Sequence, residues 1–111
     1  MRNQPIKGER GTVELNDNRI ALYISQKGKC SVTGKPLRDN EWHCHHKTLW
    51  SRTRDDSYSN LTLVLKEVHQ LIHANRILTI QRLLTKLNLD ENQLEKVNQL
   101  RILAERKAIK I

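Results

Sequence analysis

Apolar residues recur along the chain with the period of a helix in four segments and with the period of a strand in two. The first helical segment begins at the potential capping residues 16–18 and ends near Gly28. Its predicted buried side consists of Ile20, Leu22, Tyr23 and Ile24. Residues 1–15, which precede it, mix Pro, Gly and charged residues without a period, and this composition predicts a flexible N-terminal arm.

The two strand-like segments lie in the middle of the chain. Glu41 to His46 predicts one strand, and Asn60 to Leu65 alternates enough to predict a second short strand that is apolar on one side. Residues 47–59 between them are polar, which predicts a loop over the surface. The pattern therefore predicts two strands joined by a long polar connection.

Three helical segments follow the second strand. The first begins at about Lys66 and is interrupted at Asn75, and the second runs from Ile77 to a stop at Asn88. Asp90, with Gln93 three residues later, predicts a capping box at the start of the last helix. The apolar positions of that helix are Leu94, Val97, Leu100 and Leu103. A chain of 111 residues is long enough for one domain, which we place at residues 16–111.

The net charge of the chain indicates the kind of partner that it binds. The chain has 20 Lys and Arg against 12 Asp and Glu, a net charge of +8, which favours a nucleic-acid partner over a protein that is basic only for solubility. No apolar run reaches the roughly 18 residues needed to span a bilayer, and the N-terminus has no apolar signal segment. Two cysteines, Cys30 and Cys44, are too few for a disulfide framework. These features predict a cytoplasmic protein without a membrane partner.

The histidines carry the candidate chemistry, because all five fall between His43 and His73. His69 and His73 are four residues apart, so on a helix they share a face and can bind one cation. His45 and His46 are adjacent, so on a strand they point to opposite sides. One of them, His45, could complete a divalent metal site with the helical pair. His46 could then deprotonate an attacking water, since histidine ionises near neutral pH. This division of labour predicts a hydrolase.

Several other polar residues lie beside this cluster. Asn60 could bond backbone groups or His46, could lend its oxygen to the metal, or could be an ordinary turn residue. Lys47, Arg52 and Arg54 could hold nucleic-acid phosphates, or they could form a solvated loop face. His43, one step from the adjacent pair, is predicted to be a surface or satisfied core residue.

The residues Cys30 to Ala74 resemble the HNH (His-Me finger) endonuclease domain, especially the version at the C-terminus of group II intron reverse transcriptase/maturases. The resemblance is carried by KGKCSVTGKPL, EWHCHHK, YSNLTLV and VHQLIHA, and the helical tail through NLDENQLEKVNQLR extends it over residues 17–105. It implies an α+β fold with a small ββα-metal core at about residues 40–75. An N-terminal helix would precede this core, and two C-terminal helices would form a tail at about residues 77–107.

The resemblance also implies roles for the site residues. His46 matches the general base, His45 matches a metal ligand, and Asn60 matches the central Asn of the motif. His69 matches the final His of the motif, and His73 corresponds to an additional ligand found in some branches of the family. The implied cofactor is one divalent metal ion, Mg²⁺ or Mn²⁺ in function, although Zn²⁺ or Ni²⁺ can occupy a His-rich site in vitro.

The implied partner is DNA. A reverse transcriptase/maturase portion or intron RNA would join it if the chain is an excised domain, and the activity would then be target-strand cleavage in intron mobility. A free-standing relative could serve a phage or host-defence role instead. Many relatives have a Gly-rich turn where this chain has Arg54-Asp55-Asp56-Ser57. This difference motivates a second hypothesis, a nucleic-acid- or protein-binding module or regulator that keeps the fold without cutting.

Overall fold

Five helices and a two-stranded antiparallel sheet make up a small mixed α+β fold, and the structure, a computed structural model, describes residues 13–38 and 41–110. The elements in chain order are α1 (Val13–Ser25), β1 (Trp42–His46), α2 (Trp50–Thr53), a 3₁₀ turn (Tyr58–Asn60), β2 (Leu61–Leu65), α3 (Lys66–His73), α4 (Ile77–Leu87) and α5 (Glu91–Leu103). The helices within these described ranges are all too short or too polar to cross a membrane.

The register of the sheet places the end of β1 against the start of β2. His46 pairs with Leu61, and His45 pairs with Thr62. The side of β2 predicted to be apolar is buried at Leu61 and Leu63, and the other side is buried as well, at Thr62 and Val64. Both α1 and α3 pack against this strand, so it has no solvent face over these four residues.

Helix α3 connects the sheet to the C-terminal helices. It begins directly after β2, and it contacts β1, β2, α4 and α5. Val68, Leu71 and Ile72 are completely buried, and their spacing of three and four residues marks one face of the helix. Burial of this face fixes the rotation of α3 about its axis. His69 and His73 therefore occupy the neighbouring face, which turns toward β1.

The C-terminal helices follow the predicted pattern. Asn88 ends α4 in the left-handed conformation with φ at 51°, a conformation that Asn tolerates better than most residues. The predicted capping box is present at the start of α5, because Asp90 Oδ1 accepts from the backbone N–H of Gln93 and Gln93 Oε1 accepts from that of Asp90. Leu83, Leu87 and Val97 bury the inner faces of the two helices in the same core as the sheet.

Helix α1 corrects two predictions. It begins at Val13, so residues 13–15 belong to the helix rather than to the predicted arm; residues 1–12 lie outside the described part of the chain. The predicted buried side is also wrong in three of its four positions, since only Leu22 of that set is buried and Ile20, Tyr23 and Ile24 are exposed. The buried face instead consists of Leu15, Arg19 and Leu22.

The physical reason is that positions 15, 19 and 22 are four and three residues apart and share one helical face. Arg19 lies at the centre of that face, where its long aliphatic stem covers apolar surface. Its Nη1 donates to Asn16 Oδ1 at 3.1 Å. The charged head therefore has an acceptor within the same helix although the residue is only 8% exposed. A pattern that scores Arg as polar misses this face.

Candidate metal centre and active site

Three imidazoles from two different elements meet in one place. His45 comes from β1, and His69 and His73 come from successive turns of α3. One ring nitrogen from each lies within 4.8 Å of the other two. The ring centroids are 5.1 Å apart for His45 and His69, 5.2 Å for His45 and His73, and 4.7 Å for His69 and His73. The metal ligands predicted from the sequence are thus brought together as a set.

His45 is the buried member of this cluster, with 1% of its surface exposed. Within the part of the chain that the structure describes, neither Nδ1 nor Nε2 of His45 has a hydrogen-bond partner. A buried polar atom without a partner costs free energy, and native proteins usually satisfy such atoms. A cation bound between the three rings would satisfy one of these nitrogens, so the donor set fits a divalent metal of the kind that histidine ligates.

The electrostatics of the cluster keep the rings neutral. Burial, together with the charges of the other histidines, lowers the pKa of His45 to about 3 and that of His69 to about 4. Burial also lowers the pKa of His73, and the positive charges of Arg106 and Arg101 lower it further. A neutral imidazole offers a lone pair to a metal and a protonated one does not. All three rings are therefore in the ligating form at neutral pH.

A cavity of about 340 Å³ opens beside the cluster. Its walls are formed by the end of β1, the start of α2 and the inner face of α3, and consist of Cys44, His45, His46, Leu49, Trp50, Ser51, His69 and His73. His45 and His46 are adjacent and engage different partners, yet both contribute to this cavity, because it lies at the end of their strand. The predicted base and the predicted ligands thus share one space large enough for part of a substrate.

His46 contacts a residue of the long connection rather than the histidine cluster. Its Nε2 lies 2.7 Å from Asp56 Oδ1, and each of the two side chains is 10% exposed. The sequence predicts only that Asp56 lies in a polar loop, and it indicates no role for this residue. The only signal was its position in the segment that departs from the Gly-rich turn of many relatives.

Asn60 joins the beginning of the long connection to its end through hydrogen bonds. Its side-chain Oδ1 accepts from the backbone N–H and the hydroxyl of Thr48, both at 3.1 Å, and its Nδ2 donates to the carbonyl oxygen of Asp55 at 2.9 Å. Its own carbonyl oxygen accepts from the N–H of Lys47 at 2.7 Å. Asn60 therefore bonds backbone groups and the hydroxyl of Thr48. Its Oδ1 is directed at Thr48 rather than at His46 or the histidine cluster.

The basic residues predicted to hold phosphate lie outside the lining of the cavity. Arg52 in α2 forms an exposed ion pair with Glu105 at 3.0 Å, and the Arg54 guanidinium lies 4.6 Å from the ring centroid of Trp50. Lys47 is half-buried directly after β1. The positive charge of Lys47 helps to lower the pKa of His45, and those of Arg106 and Arg101 help to lower the pKa of His73. The two arginines were not predicted because they lie more than 25 residues from His73 along the chain.

His43 lies next to the cluster but outside it. Its ring stacks on that of His69 with centroids 4.9 Å apart. His43 is not one of the three histidines whose nitrogens converge. It therefore serves as a matched control for experiments on the ligands, since it is a histidine of the same strand in contact with the same helix.

Comparison with protein-family models and with curated protein sequences finds no match to this chain.

Proposed function

We propose that this protein is a metal-dependent endonuclease of the HNH (His-Me finger) type that hydrolyses phosphodiester bonds in DNA. The observation that supports it best is the separation of roles inside one cavity. His45, His69 and His73 converge as a ligand set, and His46 borders the same cavity while engaging a different partner. A hydrolytic metal site needs this combination of a cation position and an independent base.

The local topology supports the family as well as the chemistry. Two antiparallel strands are followed at once by a helix, and the ligands come from the end of the first strand and from that helix. This is the arrangement expected of a ββα-metal core. Asn60 stands at the end of the strand-to-strand connection, as the central Asn of the motif should.

In this proposal each residue of the chain has a defined task. His45, His69 and His73 hold the divalent ion, which when bound stabilises negative charge on the scissile phosphate and on the leaving oxygen. His46 accepts the proton of the attacking water. Asn60 holds the two ends of the connection that borders the cavity, and the net charge of +8 attracts the DNA backbone.

The test is cleavage of supercoiled plasmid at low salt with Mg²⁺, Mn²⁺, Ni²⁺ or Zn²⁺, with EDTA as the metal-free control. The parent should nick the plasmid only with metal. His46→Ala should lose at least about 100-fold of the rate and still shift DNA on a gel, as expected for removal of a general base. His43→Ala should cut within about threefold of the parent, because that ring neither binds the cation nor receives the proton. Equal cleavage by His46→Ala and the parent would remove His46 from the mechanism.

A second function is favoured by one contact. Nε2 of His46 already faces Asp56 at 2.7 Å, so the proposed base could be held away from substrate, and the chain would then be a DNA-binding module that does not cut. Such a module would bind DNA with a steep salt dependence and leave the plasmid intact with every metal. The same assay therefore separates the two functions.

A further inference from the structure

We infer that Asp56 is the positioning residue of His46, and that it makes Nδ1 rather than Nε2 the nitrogen that receives the proton; the inference rests on the nuclease function proposed above. The contact joins two side chains that are each 10% exposed and whose atoms are 2.7 Å apart. A short contact between largely buried polar groups has a defined geometry, whereas an exposed ion pair exchanges with water.

The backbone on both sides of Asp56 is held in place. Asn18 of α1 donates from Nδ2 to the carbonyl oxygen of Asp56 at 2.9 Å. The preceding residue, Asp55, accepts from Asn60 Nδ2 through its carbonyl oxygen and from the N–H of Ser57 through Oδ1, both at 2.9 Å. Hydrogen bonds from α1 and from the region of the 3₁₀ turn therefore fix the loop that presents the carboxylate. This is the construction expected of a group that must aim another side chain.

The chemistry of the two groups then sets the tautomer. A carboxylate has no proton to donate, so the hydrogen bond forms only when Nε2 of His46 carries the hydrogen. In a neutral imidazole the other ring nitrogen then has the lone pair. Asp56 thereby holds the ring in one orientation with Nδ1 as the base, and it stabilises the positive charge once the ring is protonated, as a carboxylate does beside a catalytic histidine.

The resulting step is balanced. A proton passes from water to Nδ1 of His46 as the water oxygen forms a bond to phosphorus. The bond from phosphorus to the leaving sugar oxygen breaks, and that oxygen keeps the electron pair. Asp56 contacts neither the water nor the phosphate in this scheme, and it acts only through His46.

The experiment compares Asp56→Asn with Asp55→Asn, which removes the same charge one residue earlier. Long-range ¹H–¹⁵N correlation spectra of ¹⁵N-histidine-labelled, EDTA-treated protein, recorded at about pH 8, report which ring nitrogen carries hydrogen. The signals of His46 are assigned by their loss in His46→Ala. The parent and Asp55→Asn should show hydrogen on Nε2 alone. Asp56→Asn should show a mixture or the opposite tautomer, because an amide can donate where the carboxylate only accepts.

Cleavage supplies the second measurement. The single-turnover rate of Asp56→Asn should fall by at least about 100-fold with DNA affinity within about threefold of the parent, as the loss of a correctly oriented base requires. Hydrogen on Nδ1 in the parent, an unchanged tautomer in Asp56→Asn, or faster cleavage by that variant would each overturn the positioning role. A parent that shows the expected tautomers and cuts no DNA would instead overturn the nuclease function, so the two failures are distinguishable.

Discussion

Arg101 of α5 donates from Nη1 to the carbonyl oxygen of Leu71 in α3 at 2.7 Å. The same nitrogen donates to the carbonyl oxygen of Ala74 at 2.9 Å, and Nε donates to that of Lys107 at 2.7 Å. The last carbonyls of a helix lack partners within the helix, and a positive charge there is favourable. Arg101, only 4% exposed, therefore caps the turn of α3 that carries His73.

Replacement of this arginine should destabilise the fold. In Arg101→Met the aliphatic stem is kept while the carbonyl oxygens of Leu71 and Ala74 lose their donor in a buried place. We expect the free energy of unfolding to fall by about 3 kcal/mol, since charge-assisted hydrogen bonds contribute about 1.5–3 kcal/mol and orphaned carbonyls add to the loss. Urea denaturation of the EDTA-treated protein measures it.

Arg52→Gln is the control for this change. It removes an arginine whose ion pair with Glu105 is largely exposed, with side chains 68% and 49% accessible. Exposed pairs contribute between about 0 and 1 kcal/mol, so its denaturation midpoint should stay close to that of the parent. Equal losses in both variants would mean that Arg101 does not hold the end of α3.

Metal affinity should depend on the ligand set and not on histidine content. His69→Ala removes one of the three converging nitrogens, and its affinity for Zn²⁺ or Ni²⁺ should fall by more than about 100-fold, the upper range for loss of an outer-shell partner. His43→Ala, which removes a ring stacked on His69, should change the affinity by less than about tenfold. Isothermal titration calorimetry with the metal alone measures both. Similar losses would contradict the assignment of the cluster.

The stability of the metal-free protein should depend on pH in one direction. In the folded chain the pKa of His45 is about 3 and that of His69 about 4, below the ordinary value of about 6.5 in the unfolded chain. The unfolded chain therefore binds more protons between these values. The stabilisation is complete above pH 6.5 and is lost as the pH falls toward 4 for His69 and toward 3 for His45. At pH 5 the loss should be about 2 kcal/mol for His45 alone.

Urea denaturation in EDTA at about pH 7 and pH 5 tests this dependence. His69→Gln should show a smaller difference between the two pH values, because one of the displaced ionisations is absent. A free energy of unfolding that is the same at both pH values in the parent would show that these rings are not buried in their neutral form.

Asn60 should contribute to stability through the connection that it closes. Asn60 is only 7% exposed. Asn60→Ala therefore leaves the N–H of Thr48 and the carbonyl oxygen of Asp55 without their partner in a largely buried place. We expect a loss of about 2–3 kcal/mol in the free energy of unfolding. Amide hydrogen exchange at Thr48 should also quicken.

Asn60→Asp is the informative comparison. It keeps an acceptor for Thr48 and lacks the donor to Asp55, so Thr48 should stay protected from exchange in the folded protein although the fold is destabilised. Fast exchange at Thr48 in both variants would contradict the direct hydrogen bond.

Four of the five helices in the described residues, and the shared helical face of His69 and His73, were predictable because they depend on periods that the sequence carries locally. Helix α2 and the 3₁₀ turn were not predicted, because they lie in residues 47–59, whose polar composition indicated a loop. Helix α3, with His69 and His73 one turn apart, and the capping box of Asp90 and Gln93 follow from spacing alone. The buried face of α1 was missed because burial of Arg19 depends on what packs against it. The periodic pattern depends only on the type of each side chain and contains no information about which elements pack against it.

The contacts around His46 could not be predicted from the sequence, for a different reason. His46 and Asp56 are ten residues apart across an irregular loop, and only the folded path of that loop brings them within 2.7 Å. Arg101 reaches the end of α3 across about thirty residues in the same way. Such pairs form only when whole elements dock against each other, and the preferences of single residues do not predict that docking.

The hydrogen bonds of Asn60 to Thr48 and Asp55 have a consequence for how this protein can diverge. They join the two ends of residues 48–55, which therefore form a closed loop. Residues inserted within this loop would lengthen it without displacing β1 or β2. The entropic cost of lengthening a closed loop grows slowly, by about 0.6 kcal/mol for each doubling. Evolution or a protein engineer can therefore exchange this wall of the cavity, Trp50 included, while the four histidines keep their places.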